Sequence, residues 1–312
     1  MLDMLQDDLN LDDIVDIDLD DTGEVKEAKN DKIALVDADT IAYTACLSSE
    51  IAIDVLPREF YTDEEWYSIV NNPNYVEKES LLYESNELQA LEKAGSKIQR
   101  ILDKTGCRDV ELHFSVGREN FRYDIYPKYK ANRVGRAPAG LHDLKVSLSN
   151  KYNGILNKKW EADDMVVYLK NKYMDKYILV AIDKDVLNSV PGKNFNYYES
   201  SLYNKEMHWV DVNRYTSLTW RYLQTLMGDT IDNIIGLKGI GPKKAEKILA
   251  GCFSHSDLWS AVIDAYESAG RTKDEALINL NLVDMCLLKD TNEGIKIKLR
   301  THEELLKETN DK

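Results

Sequence analysis

Two short apolar runs in this chain each end in a pair of aspartates two residues apart. That placement constrains the fold more than any other feature. Ile33-Ala34-Leu35-Val36 runs into Asp37 and Asp39, and Tyr177-Ile178-Leu179-Val180-Ala181-Ile182 runs into Asp183 and Asp185. Continuous apolar runs of this length, without polar alternation, read as strands covered on both faces, as in parallel sheets flanked by helices. Ligands of such sheets bind outside the carboxyl ends of the strands, so Asp37 and Asp183 are predicted on that edge. In extended backbone each aspartate pair shares one side.

Midway between them lies Glu161-Ala162-Asp163-Asp164. The stretch from Trp160 to Asp175 reads as a helix with Ala162, Met165, Val166 and Leu169 on its apolar face. Glu161 and Asp164 then share a face, with Asp163 about 100° round. Acids in a first helical turn also favour the macrodipole, which alone would explain them. A second tight pair, Asp229 and Asp232, shifts the balance. Two carboxylates ~4 Å apart repel by about 4 kcal/mol at an effective dielectric near 20. Such a cluster either titrates or holds hard divalent cations, and the chemistry that most needs it is phosphodiester cleavage by two Mg²⁺ ions.

With 312 residues, 43% of them hydrophobic, the chain can build one large core or two domains. No run approaches the ~18 apolar residues of a membrane span, and the N-terminus is acidic where a targeting peptide is basic. A cytoplasmic protein without a membrane partner is the expectation, the host cytoplasm if the chain is phage-encoded. Cys46, Cys107, Cys252 and Cys286 are scattered without closely spaced histidines, which argues against a zinc site. The net charge of −15 is uneven, because residues 1–31 hold twelve acids and two bases and so carry −10. Basic residues gather from Arg118 to Arg136, six against two acids, and at Lys238, Lys243, Lys244 and Lys247. Either group suits phosphates, although such stretches are often solvated faces.

The expected organisation is an α/β chain with a parallel-rich central sheet, helices on both faces, and a helical region behind it. Residues 1–31 form an acidic extension too polar for a core, expected to be disordered. Residues 32–204 form the α/β core, with helix from about 58 to 105, strands at 110–116, 177–182 and near 195–198, and a mobile, arch-like excursion over about 121–150. From 205 to 312 the chain reads as helices. No heptad run points beyond a monomer.

Gly236-Leu237-Lys238-Gly239-Ile240-Gly241-Pro242-Lys243-Lys244-Ala245 carries a helix-hairpin-helix pattern within about 228–250. Glycines let a backbone approach a phosphate closely, and N–H groups opening the next helix face the anion. A tight helix connection with Pro242 at the first helical position is the plainer alternative, but three glycines in six residues exceed what a turn requires.

Phe121-Arg122, Tyr129-Lys130-Ala131-Asn132-Arg133, Glu161-Ala162-Asp163-Asp164, Asp183-Lys184-Asp185 and Gly228-Asp229-Thr230-Ile231-Asp232-Asn233 with the glycine hairpin occur in the order and spacing of the structure-specific 5′-nuclease family. The resemblance covers about residues 32–255. It is nearest to bacteriophage 5′-3′ exonucleases and flap endonucleases, themselves similar to the 5′-nuclease domain of bacterial DNA polymerase I. It implies a PIN-like nuclease core and a 5′-3′ exonuclease or flap endonuclease of replication or repair. Its partner is DNA with 5′ ends, flaps or nicks, RNA-DNA hybrid being a further candidate. Two Mg²⁺ or Mn²⁺ ions would be held by Asp37, Glu161, Asp163, Asp164, Asp183, Asp185, Asp229 and Asp232. Lys130 and Arg133 would be catalytic, contacting the scissile phosphate at the base of an arch. Arg122, Tyr129, Lys238, Gly239, Gly241, Lys243 and Lys244 would contact DNA, with a K⁺ ion at the hairpin carbonyls and Tyr43 a weaker stacking candidate. The chain departs from the family where most members carry an aspartate after the second strand. Here Ser115-Val116-Gly117-Arg118-Glu119 stands, with Glu119 or Asp39 as possible substitutes. That gap keeps a non-catalytic DNA-binding protein as the alternative, beside a PIN-like ribonuclease.

Overall fold

The computed structural model describes residues 30–308 apart from Arg118 and Val134, so residues 1–29 of the acidic extension lie outside the described residues. β1 (Asn30–Asp37) leads into α1 (Asp39–Leu47) and then a small antiparallel sheet, β2 (Glu50–Asp54), β3 (Tyr75–Val76) and β4 (Leu81–Ser85), with α2 (Asp63–Val70) between β2 and β3. Alternation resumes with α3 (Glu87–Thr105), β5 (Cys107–Ser115), α4 (Phe121–Ile125), α5 (Leu141–Lys151), β6 (Ile155–Asn157), α6 (Ala162–Lys172), β7 (Tyr177–Ala181), α7 (Lys184–Asn188) and β8 (Gly192–Asn196). The remainder is β9 (His208–Val212), α8 (Arg214–Met227), the two-residue strands β10 (Gly228–Asp229) and β11 (Ile234–Ile235), α9 (Pro242–Leu249), α10 (His255–Ser268), α11 (Lys273–Val283), the hairpin β12 (Leu288–Thr291) and β13 (Gly294–Ile297), and α12 (His302–Lys307).

The main sheet has the order β6-β5-β1-β7-β8-β9, with only β9 antiparallel to its neighbour. From β1 the chain moves outward through β5 to β6, then returns to build β7 and β8 on the other side. The topological switch point therefore falls between β1 and β7, where Asp37 and Asp183 emerge. Period-2 alternation divides β1 between two cores. Ala34 and Val36 pack with α1, α3 and α5, whereas Leu35 packs with Val166, Val167 and Leu179. α3 shows why these segments are helical: Ala90, Ala94, Ile98 and Ile101 fall on one buried stripe, Asn86 caps the start and left-handed Gly106 ends it.

Three expectations need correction. The stretch 58–105 is not one helical region. Proline at 73 interrupts it, and β4 pairs with β2 in the register Ile51↔Glu84 and Ile53↔Leu82. β structure also continues past 205, as β9 and as the β12–β13 hairpin, whose Leu288, Ile295 and Ile297 cover Met165 and Tyr168 of α6. The 121–150 excursion ends in regular α5, and its middle is pinned to the small sheet. Arg136 pairs with Glu50, lies 3.7 Å from the Tyr83 ring centroid, and the Ala139 N–H donates to Glu50 at 2.6 Å.

The helical region has its own core around Tyr222, Leu226, Trp259, Tyr266 and Leu280. Beside it lies fully buried Asp284, which accepts from Arg221 at 2.9 Å and Arg300 at 3.0 Å. Burial alone would raise this carboxyl, but the two guanidiniums outweigh it and lower it to about 2. Its unfolded value is higher, so its stabilising contribution is complete above about pH 4 and is lost as the pH falls through about 2. Asp284→Ala leaves Arg221 without a carboxylate partner and Arg300 with only Glu308, and is expected to cost about 3–5 kcal/mol, read from urea unfolding at neutral pH.

Candidate active site

The strand ends and helix starts deliver the carboxylates as the sequence pattern required. Asp37 closes β1, Glu161 is the N-cap of α6 with Asp163 and Asp164 in its first turn, and Asp183 caps α7 by accepting from the Asp185 N–H at 2.8 Å. Asp229 ends β10 and accepts from the Ile231 N–H at 2.8 Å, turning the chain so that Asp232 follows. Glu161, Asp163, Asp183, Asp185, Asp229 and Asp232 line one cleft of about 500 Å³ with Lys130 and Arg133, and Gly241 and Pro242 of the hairpin reach its wall. Asp37 lies just beneath the cleft, buried and electrostatically coupled to Asp163.

The charges in this cleft are only partly balanced. Burial, then repulsion from Asp39, pushes Asp37 up to about 7. Asp163 is held well above the ordinary carboxylate range by burial and by Asp37, and burial with Asp183 nearby pushes Asp185 up to about 7. Asp183 is also raised, chiefly by burial. Glu161 behaves oppositely: burial would raise it, but Lys130 and Arg122 hold it low. Lys130 pairs with Glu161 and lies 3.7 Å from Asp232, and Arg133 pairs with Asp232. Lys130 has a left-handed backbone, φ 56°, and its N–H donates to the Asp232 carbonyl at 2.9 Å, which joins this turn to the β10–β11 loop.

Three sequence assignments change in the folded chain. Arg122 is 2% exposed and grips both oxygens of buried Asp164 at 2.7 Å, while its Nε donates to the Leu282 carbonyl at 2.8 Å. Arg122 therefore lines the cleft with its guanidinium already committed to Asp164, whereas Asp164, which also accepts from the Glu161 N–H at 3.1 Å, is not part of the cleft lining. Tyr129, also 2% exposed, donates its hydroxyl toward Glu161 and Asp232, each 2.9 Å away, so it lines the cleft and orients its carboxylates. A basic or aromatic residue beside a family motif carries no sequence mark of being buried. Tyr43 remains 42% exposed, outside the cleft lining.

Among the described residues no three His, Cys, Asp or Glu side chains stand together as a closed coordination sphere. The donor set nevertheless fits a hard divalent cation. It is all carboxylate oxygen, it is mutually repelling, and Asp185 Oδ1 is buried without a hydrogen-bond partner. At the hairpin, Gly239 needs its positive φ of 75°, and a Cβ on Gly236 would sit 2.1 Å from the Met227 carbonyl carbon. Gly241 has open space where a Cβ would go, and it starts α9 without a side-chain cap. Lys238, Lys243 and Lys244 are exposed around it, and the Lys244 ammonium donates to the Gly239 carbonyl at 2.8 Å.

No protein-family model matches the chain. Curated proteins do match it. The 5′-3′ exonuclease of Aquifex aeolicus is 35% identical over 149 residues, 44% of this chain and 50% of that protein. The DNA polymerase I of Caldicellulosiruptor bescii is 30% identical over 181 residues, 51% of this chain and 20% of the polymerase. The chain thus spans half or less of the length of these relatives. Among solved structures, T5 5′-exonuclease with bound zinc superposes with a TM-score of 0.54 over 82% of this chain and 90% of that one, at 17% identity. A T5 protein co-crystallised with metal ions gives 0.50 over 63% and 83%, at 18% identity. Those two likenesses establish a shared fold. The sequence relatives are a 5′-3′ exonuclease and a DNA polymerase I, each similar to about half of this chain.

One part of the site has no motif in the sequence. Lys145, on α5, donates to Asp39 at 2.6 Å and to the Ser115 carbonyl at 2.8 Å. Lysine in an exposed-looking helix gives no periodic signal, and the contact spans 106 residues.

Asp37 and Asp185 bind protons in the folded metal-free state that the unfolded chain has released, because their folded values near 7 exceed the ordinary carboxylate value. Stability in EDTA is therefore expected to fall as pH rises from about 4 through about 7. A divalent cation at pH 8 should restore it by replacing those protons. Thermal melting at pH 5 and 8, with EDTA and with Mn²⁺, checks both signs.

Proposed function

We propose that this protein is a divalent-metal-dependent 5′-3′ exonuclease and flap endonuclease acting on DNA. The observation that carries the reading is the convergence of six carboxylates, Lys130 and Arg133 on one cleft whose wall includes the hairpin backbone at Gly241 and Pro242. An acidic site beside a basic, glycine-rich docking element is the arrangement expected where a phosphodiester is held by its neighbours and cut between them.

Glu161, Asp163, Asp183, Asp185, Asp229 and Asp232, with Asp37 beneath, would hold two Mg²⁺ or Mn²⁺ ions. Bound there, the ions supply a nucleophilic water at neutral pH and neutralise charge on the phosphate and the departing 3′ oxygen. Asp164 contributes through Arg122, whose clamp holds the first turn of α6. Lys130 and Arg133 stand on Glu161 and Asp232 at the cleft, within reach of an entering phosphate, where their charge counts most as the transition state gathers negative charge. Tyr129 keeps Glu161 and Asp232 aimed.

The exposed N-terminus of α9, with Lys238, Lys243 and Lys244, would grip the duplex backbone without reading sequence. A K⁺ ion at the hairpin carbonyls would have to displace the Lys244 ammonium from Gly239. RNA-DNA hybrid is accommodated by the same phosphate contacts.

5′-labelled flap, nicked and single-stranded DNA, incubated with Mg²⁺ or EDTA, is expected to release short labelled 5′ products only with metal. An Asp163→Asn/Asp185→Asn double variant should release none. Tight binding without cleavage in either Mg²⁺ or Mn²⁺ would instead mark a non-catalytic DNA-binding protein. Lys130→Ala is expected to lower the single-turnover rate by about 10²-fold or more with little change in DNA affinity. Lys243→Ala/Lys244→Ala should flatten the slope of log affinity against log salt by about 2, measured by anisotropy from 50 to 200 mM KCl, on the order of 0.9 per lost phosphate contact.

A further inference from the structure

Ser115 is the meeting point of four segments. Its N–H donates to both oxygens of Asp39, at 3.1 and 3.2 Å. Its carbonyl accepts from Lys145, and its hydroxyl accepts from the Ala162 N–H at 2.9 Å, which anchors the first turn of α6. The Asp39 N–H in turn donates to Asp37 Oδ1 at 3.3 Å. The end of β5 thus carries a carboxylate that is not its own. Asp39, from the start of α1, lies over it beside Asp37, and Glu119 is exposed further along. The Asp39 side chain is 31% exposed and that of Lys145 12% exposed, so the carboxylate keeps solvent access while its anchor is enclosed.

We propose that Asp39 is a further carboxylate of the metal site, acting through the hydration shell of the ion next to Asp37 and Asp163, and that Lys145 is its internal counter-ion, competing with the metal for its charge. This rests on the nuclease reading above. Two donors fix Asp39 without consuming it: one ammonium hydrogen of Lys145 and the Ser115 N–H occupy part of its lone-pair capacity, leaving room to accept from metal-bound water. A carboxylate needed only to neutralise Lys145 would have no reason to sit on the Asp37 edge, where it adds to the repulsion already present.

Two substitutions separate the two roles. Asp39→Asn keeps an acceptor for the Ser115 N–H but removes a negative charge, whereas Lys145→Met keeps the packing but removes a positive one. Mn²⁺ binding to the full chain without DNA, measured by titration calorimetry, is expected to weaken about tenfold in Asp39→Asn. In Lys145→Met it should be unchanged or tighter, since a competing cation is gone. The Mg²⁺ concentration for half-maximal cleavage should rise in Asp39→Asn by a similar factor, with turnover at saturating Mg²⁺ largely kept. Circular dichroism melting of each apoprotein separates folding losses from these shifts. Equal weakening in both variants, or unchanged Mn²⁺ affinity in Asp39→Asn, would overturn the proposal and leave the pair a structural clasp. Wild-type protein that neither binds Mn²⁺ nor cleaves DNA would instead overturn the nuclease reading itself.

Discussion

Mutual repulsion among carboxylates gathered at the switch point of a parallel sheet is the constraint around which the molecule is arranged. Asp37 leaves β1 and Asp183 leaves β7 at adjacent strand ends, and α6 starts over them with Glu161 and Asp163. The strands that end in Asp37 and Asp183 supply no cation to relieve it, because Ala34, Leu35 and Val36 of β1 and residues 177–181 of β7 are apolar and buried. Relief comes from side chains delivered by neighbouring segments: Lys130 and Arg133 from the turn after α4, Arg122 from α4, and Lys145 from α5. Each cation takes one or two carboxylates, and those left over, Asp37, Asp163 and Asp185, stay raised and call for a cation from outside.

This division of labour explains why the helical region is no mere appendage. It contributes Asp229 and Asp232, and its α11 supplies the Leu282 carbonyl that fixes Arg122. Tyr129 shares a small apolar cluster with Ile234, Leu282 and Val283, so the turn bearing Lys130 is packed against that region. The close approach of Gly228 and Gly236 ties the acidic loop to the glycine hairpin, since a Cβ on Gly228 would lie 2.2 Å from the Gly236 nitrogen. The carboxylates and the glycine hairpin are therefore parts of one unit.

Much of this was readable from particular residues. The continuous apolar runs at 33–36 and 177–182 declared buried parallel strands, and the 3.6-residue pattern after Trp160 declared α6. Glycine spacing marked the turn into α9, where Gly239 has a positive φ and Gly236 makes a close backbone contact. The small β2–β4–β3 sheet escaped notice because its strands are short and half-exposed, and their apolar residues recur at spacings that a helix also satisfies. The burial of Arg122, Tyr129 and Asp164 was not legible, because nothing beside a residue's name records what packs over it.

The sequence by itself determined which residues could be acidic neighbours, since strand ends and first helical turns follow from local pattern, and which edge of the sheet they would share. Only the tertiary structure decided their partners. Arg122 meets Asp164 across 42 residues, Lys130 meets Glu161 across 31, and Lys145 meets Asp39 across 106. Local periodicity reports a side chain's face and little about what stands opposite. Whether a carboxylate is neutralised, clamped or left to bind a metal depends on distances of a few ångströms between segments that chain propensities do not encode.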